Sequence, residues 1–144
     1  MQKNARNLFQ AIAISLVCAA LVGACATTPS VPINPDELDG AKFKLVAISG
    51  RMDHRVVQFR KQGSGYVGVV VEKGRLLSEL VGIPESLEAF KLSPAASGER
   101  NVFEGVFTDF QADGTRSERE VRVTFYKDSF MWNLESASWE RVQG

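Results

Sequence analysis

The chain is poor in residues that carry chemistry. Its 144 residues include one histidine, His54, and two cysteines, Cys18 and Cys25. A zinc site draws three or four ligands from Cys, His and carboxylates, so no metal centre is expected. Asp53 adjoins His54, but neighbours in extended chain point to opposite faces, which gives a Ser-His-Asp arrangement no mechanical advantage. An exposed turn histidine is the plainer reading. Charge of one sign is also missing, with 17 Lys and Arg against 17 Asp and Glu. Nucleic acid needs a basic footprint, so it is not expected as a partner. The run Gly63-Ser64-Gly65-Tyr66-Val67-Gly68 has G-x-G-x-x-G spacing, but it falls in a hairpin rather than between a strand and a helix, the wrong context for pyrophosphate. No nucleophile elbow is present, no cofactor is expected, and the reading is of a protein that is not an enzyme.

What is present begins with Lys3 and Arg6, a short basic start, followed by a mostly apolar run over 8–22 broken only by Gln10 and Ser15. A spanning helix needs about 20 apolar residues, so this run is short for a membrane anchor and fits a signal peptide. It ends in Leu21-Val22-Gly23-Ala24-Cys25, which resembles the lipobox of bacterial lipoproteins. An ordinary secretory signal cut elsewhere, or an uncleaved anchor, is the alternative. Cys18 is the poorer candidate, because Leu16 and Val17 are bulky where small residues belong. The resemblance implies diacylglycerol on the Cys25 sulfur, cleavage before Cys25, and further acylation, as by palmitate, on the new amino group. Each buried CH₂ contributes about 0.8 kcal/mol, and stable anchoring takes more than one chain. In a Gram-negative cell, Ala26 in place of Asp implies the outer membrane, with the protein on its periplasmic face.

That processing would leave residues 25–144, enough for one domain. Losing Lys3 and Arg6 leaves 15 basic against 17 acidic residues, a formal net of −2. Cys18 would leave with the signal and Cys25 would be acylated, so a disulfide would not support the fold. The expected division is 1–24 signal peptide, 25–35 lipidated cysteine and flexible tether, and 36–144 a single β domain. Pro29, Pro32 and Pro35 prevent helix and discourage central strand in the tether, whose ten residues after Cys25 could reach roughly 35 Å.

From residue 36 the pattern is strand-like. Phe43, Leu45 and Ala47 alternate with Lys42 and Lys44; Val57 and Phe59 follow in register; Gln62-Gly63-Ser64-Gly65 marks a turn; and Val67, Val69 and Val71 read as the apolar face of the returning strand. Residues 75–92 are ambiguous between a helix, with Pro84 opening a short one through Leu87 and Phe90, and a strand over 87–92. Phe103, Gly105 and Phe107 share one face, Asp113-Gly114 is a strong hairpin signal, and Val121, Val123 and Phe125 face inward against Glu120, Arg122 and Thr124. Phe130, Trp132 and Leu134 alternate next, and 139–142 can form a last strand. Evenly spaced strands with tight turns predict an all-β fold: an antiparallel up-and-down meander closed, or nearly closed, into a small lipocalin-like barrel. A β-sandwich is the alternative.

Gly40-Ala41-Lys42-Phe43-Lys44-Leu45-Val46 resembles the first strand of small bacterial lipocalin-like proteins, and Trp139-Glu140-Arg141-Val142 their closing strand. That family usually places a Trp under an Arg from the far end of the barrel; here Phe43 stands in the Trp position and Arg141 is the candidate partner. The stretch from Phe43 to Gly50 is also similar to the opening of META-domain lipoproteins, without their following Gly-Cys-Asn. Both similarities span under a fifth of the chain.

The candidate site residues are Phe107, Arg119, Phe125, Trp132 and Trp139. Together with Tyr66, Phe103 and Phe130 these aromatics either line an apolar cavity or fill a solid core, since an eight-stranded barrel is wide enough for side chains or one small ligand. Arg119 shares the face of Val121, which places it at the rim, either facing a ligand or with its stem buried and its head in water. Glu118, Glu120 and Arg122 read as a charge-balanced outer face. Two functions follow: a non-catalytic binding or assembly module facing the periplasm, with an envelope protein as partner, or a calycin-like carrier of a small apolar ligand. The anchor itself is testable. Cys25→Ser should abolish lipidation and leave the chain unprocessed or soluble; a processed mutant that stays with the membrane would refute it.

Overall fold

The computed structural model describes residues 30–46, 54–80, 83–84, 86–111, 113–134 and 138–144. The signal segment, Cys25, the tether through Pro29 and Asp53 lie outside the described residues. Among the described residues eight strands make up the fold: β1 (Lys42–Leu45), β2 (Val56–Gln62), β3 (Gly65–Glu72), β4 (Glu88–Pro94), β5 (Val102–Phe110), β6 (Arg116–Phe125), β7 (Ser129–Trp132) and β8 (Trp139–Arg141). Each pairs antiparallel with the next, and β8 returns to β1, with Phe43 opposite Arg141 and Leu45 opposite Trp139. The result is a closed up-and-down barrel rather than a sandwich, and closure leaves no edge strand open to pairing.

An even number of strands puts both chain ends at one rim, here called the lower. The 62–65, 95–101 and 126–128 turns lie there too, while the C-terminal ends of β1, β3, β5 and β7 mark the upper rim. The upper β5–β6 hairpin turns where the sequence predicts. Gly114 takes φ +82°, a conformation glycine adopts without steric cost. Beside it the Asp113 carboxylate accepts from the Thr115 amide at 2.9 Å and from the Thr115 hydroxyl at 2.6 Å, an Asx turn.

Aromatic rings fill the barrel. Phe43, Phe59, Phe90, Phe125, Phe130 and Trp139 are fully buried, and their contacting pairs lie at centroid distances of 4.9–5.9 Å. Most meet edge to face, the arrangement favoured by the ring quadrupole. This packing sets which side of β3 meets the rings, although Val67 on the valine face is buried as well. Tyr66 and Val70 join the core, while Val71 is 39% exposed. Gly68 stands between them, opposite Phe59 on β2 and Phe90 on β4. A Cβ on Gly68 would come within 2.9 Å of both Phe59 and Val57, and 3.0 Å from Phe90. The glycine makes the room that the rings occupy, and an apolar tally counts it as a gap.

Residues 75–92 combine both alternatives. One helical turn, α1 (Gly74–Ser78), buries Leu77 and is followed by β4. The helix expected from Pro84 through Phe90 does not form, because Leu87, Ala89 and Phe90 are buried in or beside a strand that must fill the gap between β3 and β5.

Residues 31–35, expected as the end of the tether, are docked on the barrel. The Lys127 amide donates to the Val31 carbonyl at 2.8 Å, and the Ile33 amide donates to Phe125 O at 3.3 Å. Pro32 bridges Tyr126 between them, and Ile33 is 3% exposed. Proline has no N–H to give, but this pairing uses the groups of its two neighbours and asks none of Pro32. A 3-10 turn at Pro35–Glu37 follows, with Asn34 Oδ1 accepting from the Asp36 amide at 3.3 Å, and it carries Leu38 into the core.

The Tyr66 hydroxyl fastens this turn by donating to the Pro35 carbonyl at 2.6 Å. Burial, and then the negative charges of Asp36 and Asp39, raise the Tyr66 pKa. A raised folded-state pKa contributes stability that is present below the unfolded tyrosine value of about 10 and is lost as pH rises through the folded value. The urea midpoint should therefore fall more steeply with alkaline pH in the native chain than in Tyr66→Phe. That variant should itself be about 0.5–1.5 kcal/mol less stable at neutral pH. Parallel alkaline slopes would refute the assignment.

Candidate functional site

Four of the five candidate residues meet in the upper half of the barrel. Trp132 on β7 stands edge-on to Phe107, at 5.0 Å and 80°, and to Trp139, at 5.6 Å and 88°. Arg119 is the cross-strand partner of Phe107, and its guanidinium carbon lies 5.7 Å from the Phe107 ring centroid. A cation over a ring in a part-exposed site contributes about 0.5–1 kcal/mol. Phe107 and Trp139 are buried, while Arg119 and Trp132 remain partly accessible. Trp139 stacks on Phe130 at 4.9 Å and 17°, and its Nε1 is buried with no hydrogen-bond partner among the described residues.

Phe125 is not part of this group. It ends β6 at the lower rim and packs against Phe43, Phe59, Phe103 and Phe130. Phe130, in contact with both Phe125 and Trp139, links it to the upper cluster, as do Phe59 and Phe90 in series.

The upper rim also holds a part-buried ion pair. Arg55, 2% exposed, donates from Nη1 to Asp109 Oδ1 at 3.1 Å, and the same oxygen accepts from the Phe110 amide at 2.8 Å. Arg55 is absent from the sequence-derived candidates, although a signal for it exists: it shares the parity of Val57 and Phe59, the inward face of β2. Asp109 likewise shares the parity of Phe107. Asp109 lies two residues along β5 from Phe107, the cross-strand partner of Arg119.

The outer face behaves as its charges suggest. Arg116 pairs with Glu118 at 2.7 Å, and Arg122 with Glu104 at 2.7 Å, all four being about half-exposed. His54 is exposed, with φ +59°. No group of three His, Cys, Asp or Glu side chains converges on a metal-sized site among the described residues. A separate cleft of about 420 Å³ opens at the lower rim beside the Pro35–Glu37 turn, with Tyr66 and Phe103 among its walls and Lys61 and Arg100 along it.

The structural class is thus a closed up-and-down β-barrel with an aromatic-filled interior and a charged, tryptophan-bearing upper rim. No family model matches the chain, and neither a curated protein nor a solved structure shows significant similarity to it.

The two tryptophans provide a direct check on the interior. In Trp132→Phe the remaining indole, Trp139, should emit at short wavelength and resist acrylamide quenching. A red-shifted, readily quenched signal would show a water-filled barrel instead.

Proposed function

We propose that this protein is an envelope lipoprotein, anchored through acyl chains on Cys25, whose barrel is a non-catalytic binding or assembly module facing the periplasm. The Leu21-Val22-Gly23-Ala24-Cys25 motif supports the anchor. The ring packing from Phe43 to Trp139 supports the module. The buried rings pack against one another within the barrel, which favours the surface as the place for recognition. Within that surface the upper rim has the suitable chemistry. Trp132 and Arg119 are of the residue types enriched where protein interfaces concentrate their binding energy, and each is seated on a buried ring. The partner in this reading is an envelope protein, and the outer membrane is the site of attachment.

Native mass spectrometry of the lipidated chain, purified in detergent from its own host, tests the choice between module and carrier. The expected result is the mass of the chain and its acyl groups alone. A further small molecule, retained by the native chain and lost in Phe107→Trp, would overturn the module reading in favour of a calycin-like carrier.

A further inference from the structure

We propose that the docked segment at Val31 to Ile33 turns the lower rim of the barrel toward the bilayer and presents the upper rim, with Arg119 and Trp132, to the aqueous side. The proposal rests on the lipid-anchor reading of Cys25. The argument is one of length. Were residues 26–35 all free, the barrel could hang at roughly 35 Å from the lipid and take any orientation. The Val31 carbonyl and the Ile33 amide are instead bonded to Lys127 and Phe125, and Ile33 is buried in the core cluster. Five residues, 26–30, are left between the acylated cysteine and the barrel, and they reach only ~17 Å.

The point of attachment fixes which end is near. Lys127 lies in the turn between β6 and β7, at the lower rim. The nine residues of β5 span the barrel wall; at about 3.3 Å per residue and a tilt near 40°, the wall is ~23 Å tall. An inverted barrel would need a tether that runs the full wall before it meets the lipid, and five residues fall short of that. Charge does not compete with this restraint. Lys61, Arg100 and Lys127 at the lower rim are interspersed with Asp36, Glu99 and Asp128, all exposed, so the rim has no strong field of one sign to attract or repel headgroups. Chain length, not electrostatics, sets the orientation, and added salt should leave it unchanged.

The test uses the full lipidated chain in vesicles of phosphatidylethanolamine and phosphatidylglycerol carrying a trace of rhodamine-labelled lipid. A donor fluorophore is placed on Ser64→Cys in the lower 62–65 turn, or on Gln111→Cys beside the upper hairpin; both positions are exposed. With a dye pair whose Förster distance is comparable to the ~23 Å wall, energy transfer to the bilayer should be greater from position 64 by roughly twofold. In a companion chain a flexible Gly-Ser insert of about 15 residues follows Ser30, which leaves the barrel untouched and gives a tether spanning ~25 Å on average. There the two efficiencies should converge. Equal transfer from both labels in the native-length chain, with the protein floating with the vesicles, would overturn the orientation alone. A bias that survives the insert would also overturn it, since some other contact would then be responsible. Failure of the native-length chain to float with vesicles would sink the lipid anchor itself, and the orientation with it.

Discussion

Three residue pairs between β1 and β8 close this barrel, and so short a seam holds only because of what lies behind it. The strands on either side of closure are the shortest in the fold: four residues in β1, four in β7 and three in β8. Each carries one fully buried ring. Phe43 from β1 meets Phe130 from β7 at 5.2 Å, and Phe130 stacks on Trp139 from β8 at 4.9 Å. Backbone hydrogen bonds across a short strand are few and each is modest in net value, so the ring stack holds the three strands in register. Loss of that stack would open the sheet and expose two edges. The filled interior is therefore a condition of closure as much as a consequence of it.

Much of this was legible in the sequence, where local chemistry and alternation agree. The Asp113-Gly114 hairpin, the inward face of β6 and the alternation through β7 all follow from residue types at fixed spacing. The features that escaped were those in which a small or polar residue does the work of a large apolar one. Gly68 occupies an inward position because the rings opposite it need the volume, and the flanking valines then mimic the core face. Residues 31–35 carry two prolines that argue against a strand, yet docking uses only the carbonyl before Pro32 and the amide after it. The reach of a pattern argument ends where the pairing partner, here Tyr126 and its neighbours, lies far away in sequence.

The candidate site shows the same division. Phe107, Arg119, Trp132 and Trp139 come together because β5, β6, β7 and β8 are consecutive and alternation aligns Phe107, Arg119 and Trp132 on one side of their strands. Phe125 shares that inward face but sits some six residues down the strand from Arg119, a distance along the barrel that parity alone does not register. Arg55 was missed for the converse reason: its parity pointed inward, but a charged residue at a core position reads as a boundary until its partner, Asp109, is found 54 positions away. Phe43 and Arg141 are cross-strand partners in the closing seam, and Arg141 Nη1 donates to the Lys127 carbonyl at 3.2 Å. The residue that caps this end is thereby tied to the turn that receives the N-terminal segment.

That turn is also where a mechanical load would enter. A pull applied to the residues before Ser30 reaches the Val31–Lys127 and Ile33–Phe125 hydrogen bonds before it reaches any strand of the barrel. Those two bonds, with the buried Ile33 side chain behind them, would yield first and pay out the segment through Pro35 as slack. The Tyr66–Pro35 bond is the next in line. Tension is thus absorbed by a short sacrificial length of chain, and the three-pair seam of β1 and β8 is loaded only after that length is spent.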